Sequence, residues 1–142
     1  RQLHCVTHSF PTRRSSDLLA VLQELAARYP EPAQSAEEEK EQHIASLIFH
    51  ARLSEFANNR LLGFIIGFMA QILTDLTVYR KLYDPPNAEL WRKGREHQLQ
   101  LVDALRKGDA DGAHRIMASH MKIAEELMHV QEAHLMRRFM GE

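Results

Sequence analysis

From Leu19 onward, apolar residues return every three or four positions, and no stretch shows the sustained two-residue alternation, rich in β-branched side chains, that marks a strand. A chain patterned in this way buries its apolar side chains by packing helix on helix, which points to an all-α fold. Stop and cap residues divide the pattern into five helices. The first spans about residues 19–29 and ends at Pro30, Glu31 and Pro32, because proline lacks a backbone donor and pushes its predecessor out of the helical region. Ser35, with Glu38 three positions on, has the spacing of a capping box and opens a second helix to about residue 57, where Asn58 and Asn59 end it. The third, about 60–83, is apolar nearly all round, as suits a central or interface helix, and Asp84, Pro85 and Pro86 close it. Asn87 caps a fourth helix to about residue 106, Gly108 supplies its left-handed stop, and Asp109 caps a fifth to about residue 139. That last helix is long enough to be expected to overhang the bundle.

The opening does not share this pattern. Residues 1–18, RQLHCVTHSFPTRRSSDL, have no apolar period of either kind, and no continuous apolar stretch follows the basic start as a secretory signal requires. Within them, residues 8–18 resemble, in all eleven positions, the translation of a common short-read sequencing adapter. The expectation is a non-native leader over 1–18, a folded domain over 19–142, and a natural protein that continues upstream. Setting the leader aside removes Cys5 and two of the nine histidines and leaves a formal charge of about −3.

Composition excludes several functions. Lysine and arginine (18) nearly balance aspartate and glutamate (19), without the basic stripe that a nucleic-acid surface needs. The longest nearly apolar run, residues 61–73, is interrupted by Gly63, Gly67 and Gln71 and falls short of the roughly 20 residues of a bilayer span, so no membrane partner is expected. A single cysteine rules out an internal disulfide framework or a cysteine-based zinc site and fits a cytoplasmic location. No nucleophile elbow, phosphate-binding loop, dinucleotide fingerprint or His-Glu-x-x-His motif occurs, and only Glu126 with His129 has the spacing of one di-iron pair, where two are needed. The chain is not expected to be an enzyme.

Chemistry is left to the histidines. On the fifth helix His120 shares a face with Ala113, Ile116, Met117, Ile123, Ala124 and Leu127, whereas His129 points away. On the second, His43, Ser46, His50 and Ser54 form a polar strip beside apolar faces, as a wet internal pocket would require. On the fourth, His97 and Gln98 both flank the stripe of Leu90, Trp91, Leu101, Val102 and Leu105, and periodicity leaves open which faces inward. Imidazoles from three helices converging in a bundle interior would suit one zinc-like ion, with His50, His97 and His120 as its ligands. Histidines that satisfy one another in a core are the competing reading.

Three segments then line up in order: FHARLSEFANNRLL (49–62), the very apolar third helix, and REHQLQLVDALRKGDADGAHRIMASHM (95–121). Together they resemble the FadR C-terminal (FCD) domain of GntR-family transcription regulators, over about residues 35–125. The resemblance implies an antiparallel helical bundle, here lacking its first helix, that binds a small effector, often an organic acid, at an internal metal-containing pocket. It also implies a homodimer that controls an N-terminal winged-helix DNA-binding domain, a domain not present in this sequence. Of the family's metal ligands, His50 and His120 match, Ser46 stands where an aspartate is usual, and counting back from Asp103 puts Gln98, beside His97, at the remaining histidine position.

The expected effector pocket is therefore Ser46, His50, Gln98 and His120. It either holds one divalent transition metal, zinc- or nickel-like, on His50, His120 and a shifted His97, or binds its ligand metal-free. A carboxylate effector without a metal needs a cation, for which Arg52, Arg60 and Arg80 are the candidates. The alternative from another class is a stand-alone helical dimerisation module without ligand. A metal-dependent hydrolase lacks a carboxylate base on the polar strip of the second helix.

Overall fold

A computed structural model describes residues 13–141 and contains five α-helices and, among the described residues, no strand. They are α1 (Arg13–Ala27), α2 (Ala36–Leu53), α3 (Arg60–Arg80), α4 (Ala88–Lys107) and α5 (Ala110–Met140), with a 3-10 turn at Ser54–Ala57. The expectations for Cys5 and for residues 8–12 of the adapter-like stretch lie outside the described residues. α1 begins six positions earlier than the apolar period, so residues 13–18 continue it as helix.

Each of α2 to α5 starts where its sequence supplies an acceptor for an orphan backbone N–H. Ser35 Oγ accepts from Glu38 N (3.2 Å), Asn59 Oδ1 from Leu62 N (3.1 Å), Asn87 Oδ1 from Leu90 N (2.9 Å) and Asp109 Oδ1 from Gly112 N (2.8 Å). The capping box of α2 is shifted by one residue, because Glu38 reaches back to Gln34 N (2.7 Å). Asn58, Lys81 and Gly108 take the left-handed conformation that ends a helix, at φ of 47°, 52° and 71°. Lys81 ends α3 four residues before Pro85, which is why this helix is shorter than its apolar pattern.

The core lies between α1, α2, α4 and α5. Leu22, Ala26, Phe49, Leu101 and Val102 are its buried centre, flanked by Leu25, Leu53, Leu105, Ile116 and Met117. α4 packs on α5 and α1, and α3 packs on α2 and the 3-10 turn. α5 does not project free beyond the bundle. Gln131 donates to Pro85 O (2.8 Å), Leu135 is buried, and Glu132 pairs with Arg80 at 3.6 Å, so the far half of α5 holds the α3–α4 connection.

α3 departs most from its expected setting. It is not central, for Leu61, Phe64, Ile65, Phe68 and Tyr79 are exposed, Phe64 by 69%. At 21 residues it also outruns the apolar segment read from the sequence, and by length and composition alone it is enough to cross a membrane. The sequence reading stopped the apolar run at Leu73, whereas the helix carries it on through Leu76 and Val78 to Arg80. Its other face closes a cavity, described next.

Candidate effector site

α2, α3, α4 and α5 enclose a cleft of about 700 Å³, within the range of small-molecule pockets. α3 supplies an apolar wall at helical spacing, with Leu62, Ile66, Met69 and Leu73, and α4 and α5 add Trp91, Met117 and Met121. The polar groups are gathered opposite, mainly on α2 and α4.

At one end His50 and His120 meet, Nε2 to Nε2 at 3.0 Å, with ring centroids 4.9 Å apart. Such a contact needs one ring to donate its Nε2–H and the other to accept on its lone pair, which two neutral imidazoles satisfy. Burial enforces this: it pushes each down to about 4 from an ordinary 6.5, helped at His120 by the proximity of His50 and His97. Neither ring is a cation at neutral pH. Beside them Gln98 Nε2 donates to Ser46 Oγ at 2.8 Å, across the α2–α4 contact. Ser46, His50, Gln98 and His120 thus line one cavity, as a set.

His97 is placed differently. Its ring stands edge-on to His120, centroids 5.5 Å apart, but it does not line the cleft, and its Nε2 lies 3.5 Å from Ser119 Oγ. Of the two α4 residues that periodicity left open, Gln98 faces the cavity. His129 lies on the surface near Glu125 and Glu132.

The donor set does not fit a zinc-like centre. Such a site takes at least three protein ligands, and among the described residues no group of three histidine, cysteine, aspartate or glutamate side chains converges. Where His50 and His120 meet, the neighbouring side chains are Ser46 and Gln98, already hydrogen-bonded to each other, and their neutral oxygens are poor partners for this kind of ion.

Other polar residues of the cleft escaped the sequence reading. Arg95, on α4 one turn before Gln98, lines it with Glu39 and Gln42 of α2, beside His43 and Ser54 of the expected polar strip. Glu39 is buried, accepts from Asn87 N at 3.2 Å, and its carboxyl is pushed up by burial. The spacing of Trp91, Arg95 and Gln98 marks one helical face, but in a run as charged as WRKGREHQ an arginine reads as solvated. None of Arg52, Arg60 and Arg80, the cations considered from sequence, lines the cleft; Arg52 pairs with Glu55 at 2.9 Å and Arg80 with Glu132.

A family model described as the FCD domain matches residues 5–122, which takes in α1 to α4 and all four expected pocket residues. The chain belongs to the FCD family. FCD domains are the effector-binding domains of GntR-type transcription regulators rather than enzymes, and the all-α bundle agrees with that membership. The match starts inside residues 1–18, which the sequence pattern sets apart, and closes at residue 122, two past His120. No curated protein and no solved structure matches the chain.

Proposed function

We propose that this FCD domain senses a small organic acid in the α2–α5 cleft and, as a homodimer in the bacterial cytoplasm, transmits that binding to a winged-helix DNA-binding domain. One observation carries the reading: an otherwise apolar cleft presents a small set of convergent polar side chains that includes one guanidinium, Arg95. A carboxylate entering apolar surroundings needs a charge partner, and the neutral histidines do not supply one. Arg95 does, and its planar fork matches a carboxylate in two hydrogen bonds. His50, His120, Ser46 and Gln98 then orient the rest of the ligand without a resident metal. Effector binding acts by favouring one of two arrangements of the dimer.

The exposed face of α3 is the surface offered to a second copy. Leu61, Phe64, Ile65 and Phe68 form a contiguous apolar patch, with the Phe64 and Phe68 rings stacked at 6.2 Å, of the kind that marks an interface. On this reading the apolar length of α3 serves these two contacts rather than a bilayer.

The test is thermal. Short-chain and branched carboxylates are titrated into the chain with and without zinc or a chelator. Ligand at about a hundred times its Kd stabilises by about 2.7 kcal/mol and raises the melting temperature by several degrees. A shift that Arg95→Gln abolishes, and that chelation leaves in place, is the expected outcome. A panel that moves nothing under either condition sinks the carboxylate sensor and favours a ligand-free helical dimerisation module.

A further inference from the structure

The cleft holds more unsatisfied polar atoms than a simple carboxylate would use. Glu39 Oε2, Gln42 Oε1 and Arg95 Nε are all buried, and among the described residues none has a hydrogen-bond partner. All three residues line the same cavity. Buried orphans of this kind are rare because each forfeits its hydration without compensation.

Two hydrogen bonds link α2 and α4, Asn87 N to Glu39 Oε1 and, two turns further along α2, Gln98 Nε2 to Ser46 Oγ. Gln42 is one turn beyond Glu39 on α2, and Arg95 one turn before Gln98 on α4, so both stand between the two ties. The orientation of the Gln42 amide is set by its own partner: Nε2 donates to Glu31 O at 3.0 Å, which leaves the buried oxygen without one. The subsite thus combines two vacant acceptors, one of them a carboxylate 5% exposed at residue level, with one vacant cationic donor.

A carboxylate ligand answers Arg95 and leaves both acceptors empty, and an amine alone does the reverse. Resting on the organic-acid reading above, we propose that the ligand is a zwitterionic α-amino acid with an apolar side chain, its carboxylate on Arg95 and its ammonium on Glu39 and Gln42. The side chain then lies against Leu62, Ile66, Met69 and Leu73 of α3. An ammonium beside Glu39 also relieves the cost of keeping that buried carboxylate charged.

Matched probes test this in the full chain by calorimetry. L-leucine has two partial analogues of the same skeleton, 4-methylpentanoate, which lacks the ammonium, and 3-methylbutylamine, which lacks the carboxylate; L-methionine and L-phenylalanine extend the panel. At least one amino acid is expected to bind about tenfold or more tightly than its deaminated acid, since the acid strands two buried acceptors. Glu39→Gln retains an oxygen for Asn87 N and is expected to remove that advantage while leaving 4-methylpentanoate within about twofold, whereas Arg95→Gln weakens both. Gln42→Leu serves as the second variant should Glu39→Gln melt abnormally, with a smaller loss confined to the amino acid. If the acid binds as well as the amino acid, or the Glu39 and Gln42 variants weaken both alike, the zwitterion is wrong and the carboxylate sensor survives. If nothing in the panel binds, both readings fall.

Discussion

His50 and His120 make the most sharply testable pair of residues. Each is held at about 4 in the fold against an ordinary 6.5, so between these values the unfolded chain takes up protons that the folded pair refuses. Stability from the pair is therefore fully present above about pH 6.5, falls as the pH drops toward 4, and levels off below it. The loss is on the order of 3 kcal/mol for each ring. A melting series from pH 7 to 4 should show this slope, and replacing both residues by glutamine should flatten it; an unchanged slope would mean that the rings are not buried as a neutral pair. Helical spacing put His120 on an inward stripe and Ser46 and His50 on a polar strip, and the family resemblance added Gln98 to them. Spacing was not enough to separate Gln98 from His97, one position apart and 100° around the helix, because that choice depends on how α4 rolls against α2. The Gln98–Ser46 hydrogen bond decides it. Arg95 escaped for the opposite reason, since local charge says nothing of which neighbours will desolvate it.

At the scale of the element, cap chemistry carried most of the information. Ser35, Asn59, Asn87, Asp109 and Gly108 each stand at a helix end for a local reason, and those boundaries were legible without tertiary structure. Boundaries without such a signal moved. α1 begins at Arg13 although its first residues carry no apolar period, and α5 leans on the Pro85 turn through Gln131, a polar contact that no periodicity foretells. α3 shows the limit best, because an all-round apolar pattern states that both faces are dry without saying what covers them. If a second copy covers the outer face, Phe64→Glu with Phe68→Glu should convert a dimer to a monomer in sedimentation, with helical content retained. These positions are exposed in the single chain, so their effect on its own stability should stay within about 0.5 kcal/mol. A dimer that persists through both changes would move the interface elsewhere.

For the molecule as a whole, the notable feature is the division of labour between core and cleft. Phe49, Leu22, Val102 and Leu101 consolidate α1, α2, α4 and α5, while α3 is attached along α2 and tied at its end through Arg80 and the Pro85 turn. One side of α3 faces the cavity with Leu62, Ile66, Met69 and Leu73, and the other faces outward with Leu61, Phe64, Ile65 and Phe68. Because a single helix is shared between two sites, it makes occupancy of one a thermodynamic variable of the other. Whatever factor a ligand applies to self-association through α3, self-association must apply to the ligand, since the four states close a cycle. Apparent ligand affinity should then drift with protein concentration across the dimer's dissociation constant, and titrations at two concentrations a hundredfold apart would reveal it; coincident curves would show that the two faces of α3 are independent.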